Sequence, residues 1–186
     1  MICKQSGSRA TDACEPTVLR YIPSTGLQTA PCSYHRIIHL DASGNYRVNS
    51  NCEDVDKMQH VSWFVLPPAM ELYYKSKNTN YRELPPLRSD CETTGLNVME
   101  IIYPKEFSKI YVPIELDGTV GKTIFQVAHR SANSTIHWHL DNEYVATTHK
   151  GHQLGLNPEA GVHTLTLVDE TGETLVQKFE IISGKK

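Results

Sequence analysis

The chain has 186 residues, 39% hydrophobic and 21% charged, which is the balance of an ordinary globular protein of one or two domains with enough apolar residues to bury a core. Its 18 basic and 21 acidic residues give a formal net charge of −3, which excludes the broad positive field that draws nucleic acid or anionic lipid. No run approaches the roughly 18 apolar residues of a membrane span, and no apolar signal-peptide stretch opens the chain, so for an exported protein the signal is expected outside this sequence.

Cys3, Cys14, Cys32, Cys52 and Cys91 all fall in the first half, which sets a domain boundary at about residue 92: a cysteine-bearing segment over 1–92 and a second domain over 93–186. The intervening gaps of 10, 17, 19 and 38 residues contain no C-x2-C pair, the usual mark of a thiolate metal site, so no metal ligand is assigned. Disulfides are the leading reading, with unpaired buried cysteines and a metal site as the alternatives, and disulfides would imply an oxidising compartment. The candidates are Cys3 with Cys14, closing a small N-terminal loop, and Cys32 with Cys52. The odd count leaves one thiol over, and Cys91, near the boundary, is the candidate for it.

Along the chain, Tyr34-His35-Arg36-Ile37-Ile38-His39-Leu40 and Tyr46-Arg47-Val48 flank Asp41-Ala42-Ser43-Gly44-Asn45, a turn composition that predicts a hairpin with Cys32 and Cys52 at its outer ends. A short apolar run ends in Pro67-Pro68, and helical spacing follows over 69–75, with Met70, Tyr73 and Tyr74 on one face and a stop near Asn78. Pro85-Pro86 favours an extended path for 81–88, read as a semi-rigid linker laid over the first segment in preference to a polyproline II ligand.

Beyond Cys91 short alternating segments recur at steady spacing, which predicts strands over 99–103, 109–115, 122–129, 135–140, 143–148, 162–168 and 174–182, with a brief extra one at 153–156. Asp117-Gly118, Asp141-Asn142, Asn157-Pro158-Glu159 and Thr171-Gly172 supply turns. The fold class is mainly β: a C-terminal immunoglobulin-like antiparallel β-sandwich preceded by a loop-rich, cysteine-bearing segment with a hairpin and one short helix. Side-chain alternation turns Ile110, Val112, Ile114, Phe125, Val127, Ile136, Trp138, Leu140, Leu165, Leu167, Phe179 and Ile181 inward, with Trp138, Phe125 and Phe179 as core aromatics. Lys109, Glu115, His137, His139, Lys178 and Glu180 then face solvent.

A search for chemistry returns little. His137 and His139 project from the same strand face and could reach one metal, but the sequence shows no third ligand, so they read as surface histidines beside a buried Trp. His163 reads as a backbone-bonded histidine at a sandwich corner. Gly121-Lys122-Thr123 lacks the earlier glycine of a P-loop and leads into a strand. The one S-x-x-K, Ser183-Gly184-Lys185-Lys186, has no K-T-G partner. Glu53/Asp54 and Asp169/Glu170 read as solvated acids in turns, and Asn133-Ser134-Thr135 is a bare glycosylation sequon.

Taken together, several motifs resemble the C-terminal region of bifunctional class A penicillin-binding proteins of the 1C type. In the first half these are Cys3-Lys4-Gln5-Ser6-Gly7, Cys14-Glu15-Pro16, Cys32-Ser33-Tyr34-His35-Arg36, Leu66-Pro67-Pro68-Ala69-Met70-Glu71-Leu72-Tyr73-Tyr74, Tyr81-Arg82-Glu83-Leu84-Pro85-Pro86 and Asp90-Cys91. In the second half they are Ile102-Tyr103-Pro104, Val127-Ala128-His129-Arg130, Trp138-His139-Leu140-Asp141-Asn142-Glu143-Tyr144 and Gly161-Val162-His163-Thr164-Leu165-Thr166-Leu167-Val168-Asp169. The resemblance implies the end of a transpeptidase region followed by a short C-terminal family domain, in a parent that polymerises and cross-links peptidoglycan while anchored in the inner membrane. The glycosyltransferase carboxylates and the transpeptidase serine, lysine and K-T-G segment are missing, so no catalytic residue carries over and no cofactor is expected. The expected function is a non-catalytic, periplasmic accessory region whose partners are the parent's catalytic domains, peptidoglycan or another envelope protein. The alternatives are a metal-dependent hydrolase using His137 and His139, or a ligand-free spacer.

Overall fold

Short strands and turns, with few apolar runs, build the first of two units in the computed structural model, which describes residues 1–91, 95–112 and 121–182. This unit comprises Met1–Leu66 and Asn78–Leu96. Strand β1 (Ile2–Cys3) pairs antiparallel with β2 (Thr17–Val18), and β3 (His35–Leu40) pairs antiparallel with β4 (Gln59–Phe64) from His35↔Phe64 to Leu40↔Gln59. Ile38, Leu40, Trp63 and Val65 form its apolar cluster, against which Val61 and Leu84 pack.

The predicted hairpin is present but short. Its turn forms, since Asp41 Oδ1 accepts from the Asn45 and Tyr46 amides at 3.1 and 3.3 Å and Gly44 takes φ +74°. The returning residues make one antiparallel bridge, Leu40↔Arg47, flanked by the Asp41 amide on the Tyr46 carbonyl at 3.0 Å and the Val48 amide on the His39 carbonyl at 2.9 Å, while β4 pairs along the other edge of β3. The Arg47 backbone faces away from β3: its amide donates to the Pro86 carbonyl at 2.8 Å and its carbonyl accepts from the Arg88 amide at 3.0 Å. The Pro-Pro segment therefore lines the outer edge of the returning strand, and it is tied in again where Trp63 Nε1 donates to the Arg82 carbonyl and the Arg82 guanidinium lies 3.6 Å over the indole ring.

Helix α1 (Pro68–Lys77) starts on a proline, as a first helical turn tolerates, and groups with the second unit, which comprises Pro67–Lys77 and Asn97–Lys186. Its buried side is not apolar. Met70 and Tyr73 are exposed, whereas Glu71 is buried and ion-paired with Arg130.

Eight strands follow among the described residues: β5 (Met99–Tyr103), β6 (Lys109–Tyr111), β7 (Thr123–His129), β8 (Thr135–Leu140), β9 (Glu143–His149), β10 (Gln153–Leu156), β11 (Gly161–Asp169) and β12 (Thr174–Ile182). They form a three-stranded sheet in the order β10-β7-β5 and a five-stranded sheet in the order β6-β12-β11-β8-β9. The inward residues of both sheets share one core, Met99, Ile101, Phe125 and Val127 from the first and Ile110, Ile136, Trp138, Leu165, Leu167, Phe179 and Ile181 from the second. This is a β-sandwich. One pair, β6 with β12, runs parallel, so the sandwich is not wholly antiparallel as expected. The expectations for Ile114, Glu115, Asp117-Gly118 and Ser183-Gly184-Lys185-Lys186 lie outside the described residues.

Trp138, Phe125 and Phe179 are buried at the centre, the two phenylalanines meeting edge to face at 5.2 Å between ring centroids. Trp138 Nε1 donates to Thr148 Oγ1 at 2.8 Å, which satisfies the one polar atom of that side chain. Asp141 and Asn142 take φ +50° and +70°, the left-handed pair that closes the β8–β9 hairpin in two residues.

Candidate functional site

Three short segments of the first unit bring sulfur and nitrogen to one point. Cys3 ends β1, Cys14 lies in the loop before β2, and Cys32 and His35 stand three residues apart where the chain enters β3. The three Sγ atoms and one ring nitrogen of His35 lie within 4.8 Å of one another, and all four residues are buried. His35 Nδ1 is 3.4 Å from Cys3 Sγ and 3.5 Å from Cys32 Sγ.

Local turns aim backbone donors at the sulfurs. The Ser6 amide donates to Cys3 Sγ at 3.4 Å, within a turn that Gly7 completes at φ +71° by donating its own amide to the Cys3 carbonyl. The Thr11 amide donates to Cys14 Sγ at 3.3 Å, and the amides of Tyr34 and His35 serve Cys32. On the far side of the imidazole, Nε2 lies 2.7 Å from Gln5 Oε1, an oxygen that only accepts. The ring proton therefore sits on Nε2, and the Nδ1 lone pair faces the sulfurs. Burial pushes the Cys32 thiol up, but contacts with Ser6 and His35 and the two amides outweigh it and bring it down to about 6. Burial also raises the Cys14 thiol above the ordinary range.

This geometry replaces two expectations. Cys3, Cys14 and Cys32 are free thiols, not halves of the bridges proposed from spacing. A donor set of metal-binding type also exists without any C-x2-C, because its members need closeness in space and not in sequence. The Arg9↔Pro31 bridge and the bonds from the Cys3 amide to Ser8 and from the Cys32 amide to Arg9 draw the segments together. One local signal was visible: Cys32-Ser33-Tyr34-His35 is a C-x2-H pair, missed by a search that asked only for paired cysteines.

Cys52 does bridge, but to Cys91, across a sequence separation of 39 and a Cα–Cα distance of 5.2 Å. This corrects both the Cys32–Cys52 pairing and the assignment of Cys91 as the unpaired thiol. Arg47↔Leu87 pairing brings the two stretches together, and Arg88 fixes them: its guanidinium reaches Glu53 at 2.7 Å, Asp90 at 2.7 Å and the Cys52 carbonyl. Glu53 and Asp90 are held below the usual carboxylate range by those Arg88 bonds.

In the second unit a cleft of about 180 Å³ lies beside β7 and α1, lined by Leu72, Lys75, His129, Ser131 and His152 among others. The ring nitrogens of both its histidines are engaged. His129 Nε2 faces Asp169 at 3.3 Å while Nδ1 accepts the Ser131 amide at 3.0 Å, so both nitrogens are engaged. Asp169 is buried, not solvated as expected. Burial raises its carboxyl, but bonds from Thr171, His129 and the Glu173 amide hold it below the ordinary range. His152 sits mid-chain in a relay of donors from Trp138 through Thr148 to its Nδ1, then from Nε2 to Ser134 and from Ser134 to the Ser131 carbonyl. Burial pushes its pKa down, as a neutral link in that relay requires. Ser134, the middle residue of the Asn133-Ser134-Thr135 sequon, spends its hydroxyl in this buried network.

His137 and His139 do share the outer face of β8. His137 Nδ1 is hydrogen-bonded to Thr147 Oγ1 at 2.8 Å, His139 Nδ1 is buried without a partner, and among the described residues no group of three metal-type donors includes either histidine. His163 bonds the Glu159 carbonyl at 2.8 Å and also Asp141 at 2.6 Å.

Residues 88–179 match the family model described as the Penicillin-Binding Protein C-terminus Family. Among solved structures, the chain is similar to one titled as fibronectin(III)-like modules of Clostridium thermocellum CbhA, at 9% identity and a TM-score of 0.36, over 47% of this chain and 99% of that one. No curated protein matches the chain.

Proposed function

Because residues 88–179 belong to the Penicillin-Binding Protein C-terminus Family, we propose that this chain is a non-catalytic accessory region of a bifunctional peptidoglycan synthase, and that its sandwich docks onto peptidoglycan. The family membership carries the reading. The engaged nitrogens of His129 and the hydrogen-bonded Nδ1 of His137 support its non-catalytic part. The Cys52–Cys91 bridge fits a periplasmic location, and no helix among the described residues is long and apolar enough to cross a membrane.

The docking face is the outer side of the five-stranded sheet. Register aligns Tyr144, His139, Thr166 and Val176 in one row across four strands and Thr147, His137, Val168 and Thr174 in the next. Tyr144 is 61% exposed and meets His139 edge-on, with its hydroxyl on Thr147. An aromatic ring among hydroxyls and imidazoles suits a polysaccharide, whose sugars offer both apolar faces and hydroxyl partners.

Co-sedimentation of the chain with purified cell-wall sacculi tests this. Retention in the pellet is expected, and Tyr144→Ala weakens it about tenfold, the cost of losing a central aromatic anchor. A folded chain that stays in the supernatant yet binds the isolated catalytic region of its parent would move the docking partner from glycan to protein.

A further inference from the structure

We infer that Cys3, Cys14, Cys32 and His35 form a structural zinc site in the first unit, with three thiolates and His35 Nδ1 as a closed set of four ligands.

Distances favour this over a cluster of thiols. A tetrahedral zinc with Zn–S of about 2.3 Å and Zn–N of about 2.0–2.1 Å separates sulfur from nitrogen by about 3.5 Å. The structure gives 3.4 Å for Cys3 and 3.5 Å for Cys32. The donor chemistry agrees. Each sulfur receives backbone N–H groups and so is arranged as an acceptor, and the fourth group presents a lone pair. Four acceptors converging on one buried point call for a cation. A dication against three thiolates leaves one net negative charge, spread over sulfurs that those amides stabilise.

Surrounding contacts are those of a metal centre. The proton-bearing Nε2 of His35 donates to Gln5, which fixes the ring and its tautomer. Soft thiolates with one imidazole in four-coordination select zinc over magnesium or calcium. With four protein ligands no position is left for water or substrate, so the role is structural. Coordination also accounts for three neighbouring thiols staying unbridged in a chain whose other two cysteines are joined. The site goes beyond the accessory reading above, since it lies outside residues 88–179 and needs no peptidoglycan.

The test is elemental analysis of the full chain, purified in reductant without chelator or polyhistidine tag. One zinc per chain is expected. Cys52→Ser/Cys91→Ser keeps it and Cys14→Ser loses it. Because Cys14→Ser can lose its fold with its metal, His35→Cys provides the second arm by preserving four ligands. Loaded with cobalt, the unaltered chain should show the visible bands of a tetrahedral site with three sulfur ligands and one nitrogen. His35→Cys should shift them to an all-sulfur pattern and raise the thiolate charge-transfer intensity by about a third, as the count of metal–sulfur bonds rises from three to four. A folded chain without stoichiometric zinc overturns the proposal, as does a disulfide mapped among Cys3, Cys14 and Cys32, or a cobalt spectrum that His35→Cys leaves unchanged.

Discussion

The two units differ in what holds them. Among the described residues the second has a continuous core of twelve buried side chains drawn from two sheets, while the apolar cluster around Trp63 in the first has four. A large buried apolar side chain contributes about 1.5–3 kcal/mol, so the first unit, where Val48, Phe64 and Leu66 are also buried but not in one continuous core, has less of that term to set against chain entropy. It carries all five cysteines instead, two in a bridge and three around a histidine. Small cores in general rely on such cross-links. Packing and cross-linking are thus alternative answers within one chain, and each can be attacked separately.

The largest effect should come from the core that relies on packing. Trp138→Ala removes a fully buried ring at the centre of the sandwich and strands the Thr148 end of the hydrogen-bonded relay. A loss of about 3–5 kcal/mol is expected. Hydrogen exchange read by mass spectrometry resolves the units, and peptides covering β7, β8 and β11 should lose protection. A loss below about 1 kcal/mol would mean that the sandwich does not depend on this ring.

The next effect belongs to the cross-linked unit. Closing a loop with a sequence separation of 39 is worth about 4 kcal/mol in the chain-entropy account, and measured values for such bridges run about 2–4 kcal/mol. Cys52→Ser/Cys91→Ser should therefore destabilise the first unit by about that amount, with protection lost first at residues 47–53 and 86–91. Non-reducing peptide mapping of the unaltered chain should return Cys52–Cys91. A Cys32–Cys52 peptide would reinstate the pairing that spacing suggested and dissolve the contrast between the units.

The contrast also explains what could be read in advance. In the second unit the strands over 99–103, 135–140, 153–156 and 174–182 coincide with β5, β8, β10 and β12, because a two-residue alternation is written locally. In the first unit the decisive contacts are non-local. Cys52 meets Cys91 only after the Pro-Pro segment has paired with Arg47, and three cysteines meet only after β1, a loop and β3 assemble. Spacing rules fail there, although Cys32-x2-His35 was open to a search that counted histidine as a ligand. Helix α1 misleads for a related reason. Its buried contact is a carboxylate, Glu71 on Arg130, which hydrophobic pattern cannot register. Asp169 escaped notice in the same way, since its burial depends on the Thr171 and Glu173 donors of its own turn and on His129 from another strand.

The smallest effect is electrostatic and confined to the sandwich. Burial alone would lower the pKa of His163, but the Asp141 carboxylate at 2.6 Å and the Glu159 carbonyl at 2.8 Å outweigh it, and the pKa rises above its ordinary value. For a group whose pKa is raised by folding, the associated stability is fully present below the unfolded value of about 6.5 and disappears as the pH climbs through the folded value. Asp141 is half exposed, so solvent screens the pair and the gain is about 0.5–1 kcal/mol. His163 should therefore favour the sandwich at pH 5.5 over pH 8 by roughly that margin, against the opposite slope of His152, whose pKa burial lowers, in urea titrations followed through Trp138 in a Trp63→Phe background. His163→Gln keeps a donor for one partner but cannot be charged, and it should lose about 0.5–1 kcal/mol more relative to the unaltered chain at pH 5.5 than at pH 8. A His163→Gln variant that differs from the unaltered chain by the same amount at pH 5.5 and pH 8 would mean that His163 folds as the neutral ring, with burial outweighing Asp141.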